Sequence, residues 1–179
     1  MLLGACTGAP LATGSETPAA GAAFPEAWIG SWQGEVTAFG PGGERMRFDM
    51  LREISATEDP ERFAWTTIYA GEAGTQVRKY TVLVRDRATG AYAIDEHNGI
   101  VLDARLLDDT LFSCFAVQGT RLLVRERLVQ HKGAPALSFE IATGSHEGNT
   151  TGEAIPVINY PTTGLQRAAL HPVSPRLKW

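Results

Sequence analysis

The chain has 179 residues, 44% hydrophobic and 20% charged, which suits one globular domain with a tail and excludes a wholly disordered chain. Its net charge of -4 gives no reason to expect nucleic acid or an anionic membrane surface as a partner. No run of about 18 apolar residues occurs, so no membrane-spanning helix is expected.

From Thr7 to Pro25 the chain is rich in Ala, Gly, Thr and Pro, with Glu16 its only charge before Glu26. Such a stretch cannot bury enough surface to fold and reads as a flexible tether. A short helical turn is expected around Pro25 to Ile29. The first strand is expected near Gly30 to Ala38, and from Ser31 onward its residues alternate. Trp32, Gly34 and Val36 fall on one face, and Ser31, Gln33, Glu35 and Thr37 on the other, the period of a half-buried strand. An indole followed by a glycine on the same face suits a barrel floor, where the ring closes the base and the glycine admits a close neighbour.

Further strands are expected near Glu44 to Ser55, Arg62 to Ala70 and Val77 to Asp86, separated by Phe39-Gly-Pro-Gly-Gly43, Asp59-Pro60 and Gly71 to Gly74. A short strand with Tyr92 and Ile94 leads to Asn98-Gly99, the best two-residue hairpin signal in the chain. Strands at Val101 to Leu107, Leu111 to Val117, Arg121 to Val129, Leu137 to Thr143 and Leu165 to His171 complete the series. About ten short strands at regular spacing, without a sustained helical period, predict an all-β domain over residues 26–173. The expected form is a single antiparallel up-and-down barrel, followed by a tail at 174–179. One connection is long. Gly144 to Gly164 carries the apolar cluster Ile155-Pro-Val-Ile158, which is expected to pack at the barrel mouth.

The inward faces are not wholly apolar. Arg52 shares its face with Met46, Phe48, Met50 and Ile54, and Glu126 shares its face with Leu122, Val124 and Leu128. A buried charge is costly unless paired. Either Arg52 pairs with Glu126, or twist or a bulge carries the two outward, or Arg52 meets the carboxylate of a ligand. Phe48, Trp65, Tyr69 and Tyr80 would line the pocket in the last case and form ordinary core otherwise. Cys114, within an apolar run, reads as a small buried hydrophobe rather than a catalytic thiol. His97, His131, His146 and His171 form no metal motif, and Asp95-Glu96-His97 precedes a turn, where a solvated charge cluster is usual. No Gly-x-Ser-x-Gly elbow occurs. These features point away from an enzyme.

Two stretches carry resemblances. Leu3-Gly-Ala-Cys6 resembles the lipobox of bacterial lipoproteins, which makes residues 1–6 the remnant of a signal peptide and Cys6 the site of lipidation. The basic and apolar regions that complete such a signal would lie upstream of Met1; a stray cysteine in an unstructured N-terminus is the alternative. Thr7 after the cysteine resembles the pattern of lipoproteins sorted to the outer membrane, facing the periplasm, with the lipid as the only membrane contact. Gly30-Ser-Trp32 resembles the opening of the lipocalin-like (calycin) barrels. That resemblance implies a small hydrophobic or amphiphilic ligand, and an arginine on the closing strand packed over the tryptophan, here Arg167 over Trp32. The Gly-Ser-Trp-Gln-Gly-Glu run also resembles the nitrobindin-type haem barrels, which would supply a haem ligand near His171; the residues around His171 do not match that motif, and they read as an exposed terminal histidine. A ligand-binding barrel, a haem barrel and a structural lipoprotein with a filled barrel are thus the three functional expectations.

Overall fold

The computed structural model describes residues 17–18, 23–72 and 74–173. The signal remnant at 1–6 and the tail at 174–179 lie outside the described residues, as does the tether at 7–25 apart from 17–18 and 23–25. Ten strands form the barrel: β1 (Gly30–Gly40), β2 (Gly43–Ala56), β3 (Arg62–Gly71), β4 (Gly74–Asp86), β5 (Ala91–Asp95), β6 (Val101–Leu107), β7 (Thr110–Val117), β8 (Thr120–His131), β9 (Ala134–Ser145) and β10 (Thr162–Val173). Each pairs antiparallel with the next in sequence, and β10 returns to pair with β1, so the sheet closes in up-and-down order. Closure removes the free edges that an open sheet would present.

Alternation decides which side chains fill the interior. Trp32, Val36 and Ala38 of β1 are buried, as are Met50, Arg52 and Ile54 of β2 and Phe63, Trp65 and Thr67 of β3. Gly34 lies on the same inward face. A Cβ there would sit 2.6 Å from the Ala169 carbonyl oxygen and 3.1 Å from a Leu170 methyl, so the glycine permits β10 to close tightly on β1.

One end of the barrel is plugged. The expected helical turn is a 3-10 turn, Glu26–Trp28, and it carries Trp28 fully buried into the base. The Trp32 Nε1–H donates to the Trp28 carbonyl at 2.8 Å. Phe24 packs edge-on against Trp28 and Tyr92, at centroid distances of 4.6 and 4.9 Å. The Tyr92 hydroxyl donates to the Phe24 carbonyl at 3.3 Å, and Arg87 pairs with Glu26 at 2.7 Å. Beside this plug Thr17–Pro18 pairs with Val129 and Gln130 of β8, so the tether contributes a two-residue strand.

Three details differ from expectation. Asn98-Gly99 does not make a two-residue turn. Asp95 pairs with Val101 across a five-residue loop, because the Asp95 carboxylate accepts the His97 N–H and the Asn98 side-chain oxygen accepts the Ile100 N–H, each at 2.8–2.9 Å. The 144–164 connection does not fold over the mouth. It forms a small hairpin, Asn149–Thr151 against Val157–Asn159, and its apolar residues stay exposed. Cys114 is exposed rather than buried. Its neighbours Ser113 and Phe115 take the inward positions, and a period of two sends Cys114 outward beside Leu123.

Candidate interior binding site

The two inward charges meet. Arg52 on β2 and Glu126 on β8 lie 74 residues apart in the chain, and an Arg52 Nη1–H donates to Glu126 Oε2 across the lumen. Both are buried, at 4% and 6% exposure. Burial pushes the Glu126 carboxyl above its ordinary value, and the charge and hydrogen bond of Arg52 draw it back. The guanidinium carbon lies 4.7 Å from the Trp65 ring centroid and 5.5 Å from that of Phe139. A desolvated guanidinium is favoured against ring faces, so the aromatics hold the cation where water is excluded. The pair is not fully satisfied. Arg52 Nε and the Thr67 hydroxyl, on residues paired across β2 and β3, have no hydrogen-bond partner among the described residues.

Burial is graded along the inward face. At the plugged end and around Arg52 the side chains are sealed. Toward the other end Phe48, Tyr69 and Tyr80 are only half-buried, although they point inward and pack against the same core. Phe48 and Tyr69 meet edge to face at 5.9 Å. Burial raises the Tyr69 phenol, and the nearby Arg52 charge opposes that rise. At the rim Arg78 lies over the Tyr69 ring at 5.8 Å and donates to the Gln76 side-chain oxygen at 3.4 Å, and the neighbouring Tyr80 hydroxyl raises the guanidinium above its ordinary value. Met46, expected on the inward face of β2, is 56% exposed because it extends past the packed interior.

The structure thus brings together Arg52, Glu126 and Trp65 as a closed floor, with Phe48, Tyr69 and Tyr80 above it. Thr67, Phe139 and Arg78 join this group. The alternation that placed Trp65 and Tyr80 inward applies equally to these three. What the sequence lacked was a signal of which inward residues share a level. Concave space opens at both ends of the barrel. A cleft of about 330 Å³ beside the plug is lined by Phe24, Trp28, Arg87, Tyr92, Leu106 and Asp109, among others. An open groove of about 360 Å³ at the opposite end runs between Phe39-Gly40-Pro41 and Thr162 to Leu165.

Arg167 does not pack over Trp32. Its register partners are Thr37 and Glu140, all on the outer face, and its guanidinium lies 5.0 Å from the Phe39 ring. The inward neighbours on β10 are Ala168 and Leu170, so the period of two turns Arg167 to solvent. The arginine beside Trp32 is instead Arg52, its cross-strand partner on β2. His171 also points outward, level with Gln33, and its ring lies 5.6 Å from that of His131. A haem ligand inside the barrel cannot come from that position. His97 hydrogen-bonds the Thr81 hydroxyl at 3.0 Å. Comparison with protein-family models and with curated proteins finds no match to this chain.

Proposed function

We propose that the protein is a lipocalin-like barrel that holds a small hydrophobic or amphiphilic molecule in the unplugged half of its interior. The observation that carries this reading is the gradient of burial. Inward aromatic side chains are left half-exposed at one end, above a sealed floor whose Arg52 Nε and Thr67 hydroxyl lack partners among the described residues. The apolar body of a ligand would lie against Phe48, Tyr69 and Tyr80, and an acidic or hydroxylated head would reach the free edge of Arg52 and Thr67. Apolar walls with a few polar anchors are the usual composition of such sites. The protein would act by binding, without catalysis. Leu3-Gly-Ala-Cys6 supports a lipid anchor at the bacterial outer membrane, with the barrel in the periplasm. Mass spectrometry of the N-terminal peptide of protein recovered from the envelope tests this. An unacylated Cys6 would overturn it.

A second reading has its own support. Glu126 already occupies one side of the guanidinium, which favours a barrel filled by its own side chains and serving a structural role. Native mass spectrometry of the purified protein separates the two. A copurified mass that disappears in Tyr69→Ala and Tyr80→Ala supports the ligand. A bare chain that also fails to bind an added fluorescent fatty acid supports the filled barrel.

A further inference from the structure

The hairpin between β9 and β10 leaves its apolar residues in water. Ile155 is 77% exposed, Val157 50% and Ile158 53%, and Tyr160 behind them covers the Arg121 guanidinium at 4.2 Å. Successive strand residues point to opposite faces. Val157 and Ile158 are therefore exposed on both sides of the hairpin, which stands free rather than lying on the barrel. The hairpin is also built rather than loose. A Cβ on Gly148 would fall 2.2 Å from an Ile158 methyl, so a glycine there lets Ile158 seat against the first strand. Asn159 donates to the Thr151 hydroxyl at 2.9 Å and to the Asn149 carbonyl at 3.4 Å.

We infer that this hairpin inserts into a lipid bilayer and sets the unplugged end of the barrel against it. Three observations favour a bilayer over a protein partner. Four exposed residues make a small patch, short of the roughly 800 Å² that each partner of a stable protein complex buries. Each face of the hairpin carries an apolar side chain, Val157 beside Asn149, Thr151 and Asn159 on one and Ile158 beside Thr150 on the other, whereas a docked strand would present its apolar side chains from one face. The hairpin rises from the same end as the half-buried Phe48, Tyr69 and Tyr80, and its root borders the groove at Phe39 to Pro41 and Thr162 to Leu165. The charges on this connection are Glu147 and Glu153, so attraction to anionic lipid plays no part and shallow apolar insertion does. In purpose this rests on the ligand reading above, since an amphiphile passes between bilayer and barrel most readily at a docked mouth. The geometry does not depend on it.

The test uses the full 179-residue chain carrying Cys6→Ser, so that no acyl group can form, and vesicles of phosphatidylcholine. The protein should float with the vesicles, equally at low and high salt. Ile155→Asp and Ile158→Asp should each reduce flotation by about tenfold while the circular dichroism spectrum stays unchanged. Val157→Trp should be quenched by lipid brominated on the acyl chains. A chain that stays unbound, Asp variants that float like the parent, or an indole that is not quenched overturns the inference. So does a dimer that Ile155→Asp dissociates in the absence of any flotation. Uptake of a fluorescent fatty acid distinguishes this failure from failure of the ligand reading. If the Asp variants take the probe from vesicles as fast as the parent, docking fails and the pocket stands. If the parent floats as expected but binds no probe, the pocket fails and docking stands.

Discussion

Arg52→Met is the most informative single change. Methionine keeps an apolar stem of similar size against Trp65 and Phe139, but it leaves the Glu126 carboxylate buried without its cation. Removing one partner of a buried ion pair costs about 3–5 kcal/mol, because the remaining charge loses its compensation. The loss should depend on pH. Burial already raises Glu126 above 4.5, so the folded state keeps its proton where the unfolded state has released it. The stability contributed by this group is fully present below the ordinary carboxylate range and is lost as pH rises through the folded pKa. Without Arg52, which draws that pKa down, the loss continues to higher pH. Arg52→Met should therefore be mildly destabilising near pH 5 and severely so near pH 8. Arg52→Met with Glu126→Leu should return to within about 1 kcal/mol of the parent, giving a coupling of about 3 kcal/mol. Urea titrations followed by tryptophan fluorescence measure all four corners, with Trp65 beside the pair as reporter. A loss that does not vary with pH, or a double variant as unstable as the sum of the singles, would refute the reasoning.

Gly34→Ala should cost about 1–3 kcal/mol in chemical denaturation, because the clash is with the β10 backbone and cannot be relieved by a rotamer change. Trp28→Ala removes the fully buried plug and should cost about 3–5 kcal/mol, lowering the thermal midpoint more than any of the surface changes. Arg167→Ala, on the outer face, should cost at most about 1 kcal/mol, and a larger loss would place that arginine in the core after all. Cys114 should react with a thiol reagent in the folded Cys6→Ser chain without denaturant; protection until unfolding would contradict its outward position.

Much of the barrel was legible because its determinants are local. A period of two sorts Trp32, Val36, Arg52, Trp65, Tyr80 and Glu126 onto inward faces, and Gly and Pro mark the turns, whatever the distant chain does. The same rule, applied without regard to apolar neighbours, would have turned Cys114 outward. The resemblance to lipocalin-like barrels put an arginine over the tryptophan from the closing strand, but parity sends Arg167 to solvent and leaves Arg52 beside Trp32. Local signals could not settle the Asn98-Gly99 loop, where side-chain bonds from Asp95 and Asn98 outcompeted the two-residue turn. Nor could they give depth. Met46 and Arg52 share a face, yet one reaches water and the other is sealed, because strand stagger decides which levels face one another. The choice between Glu126 and a ligand as the partner of Arg52 was open in the sequence for the same reason. Residues 74 positions apart come together only when β10 closes on β1, and only closure of the sheet turns two separate inward charges into one buried pair.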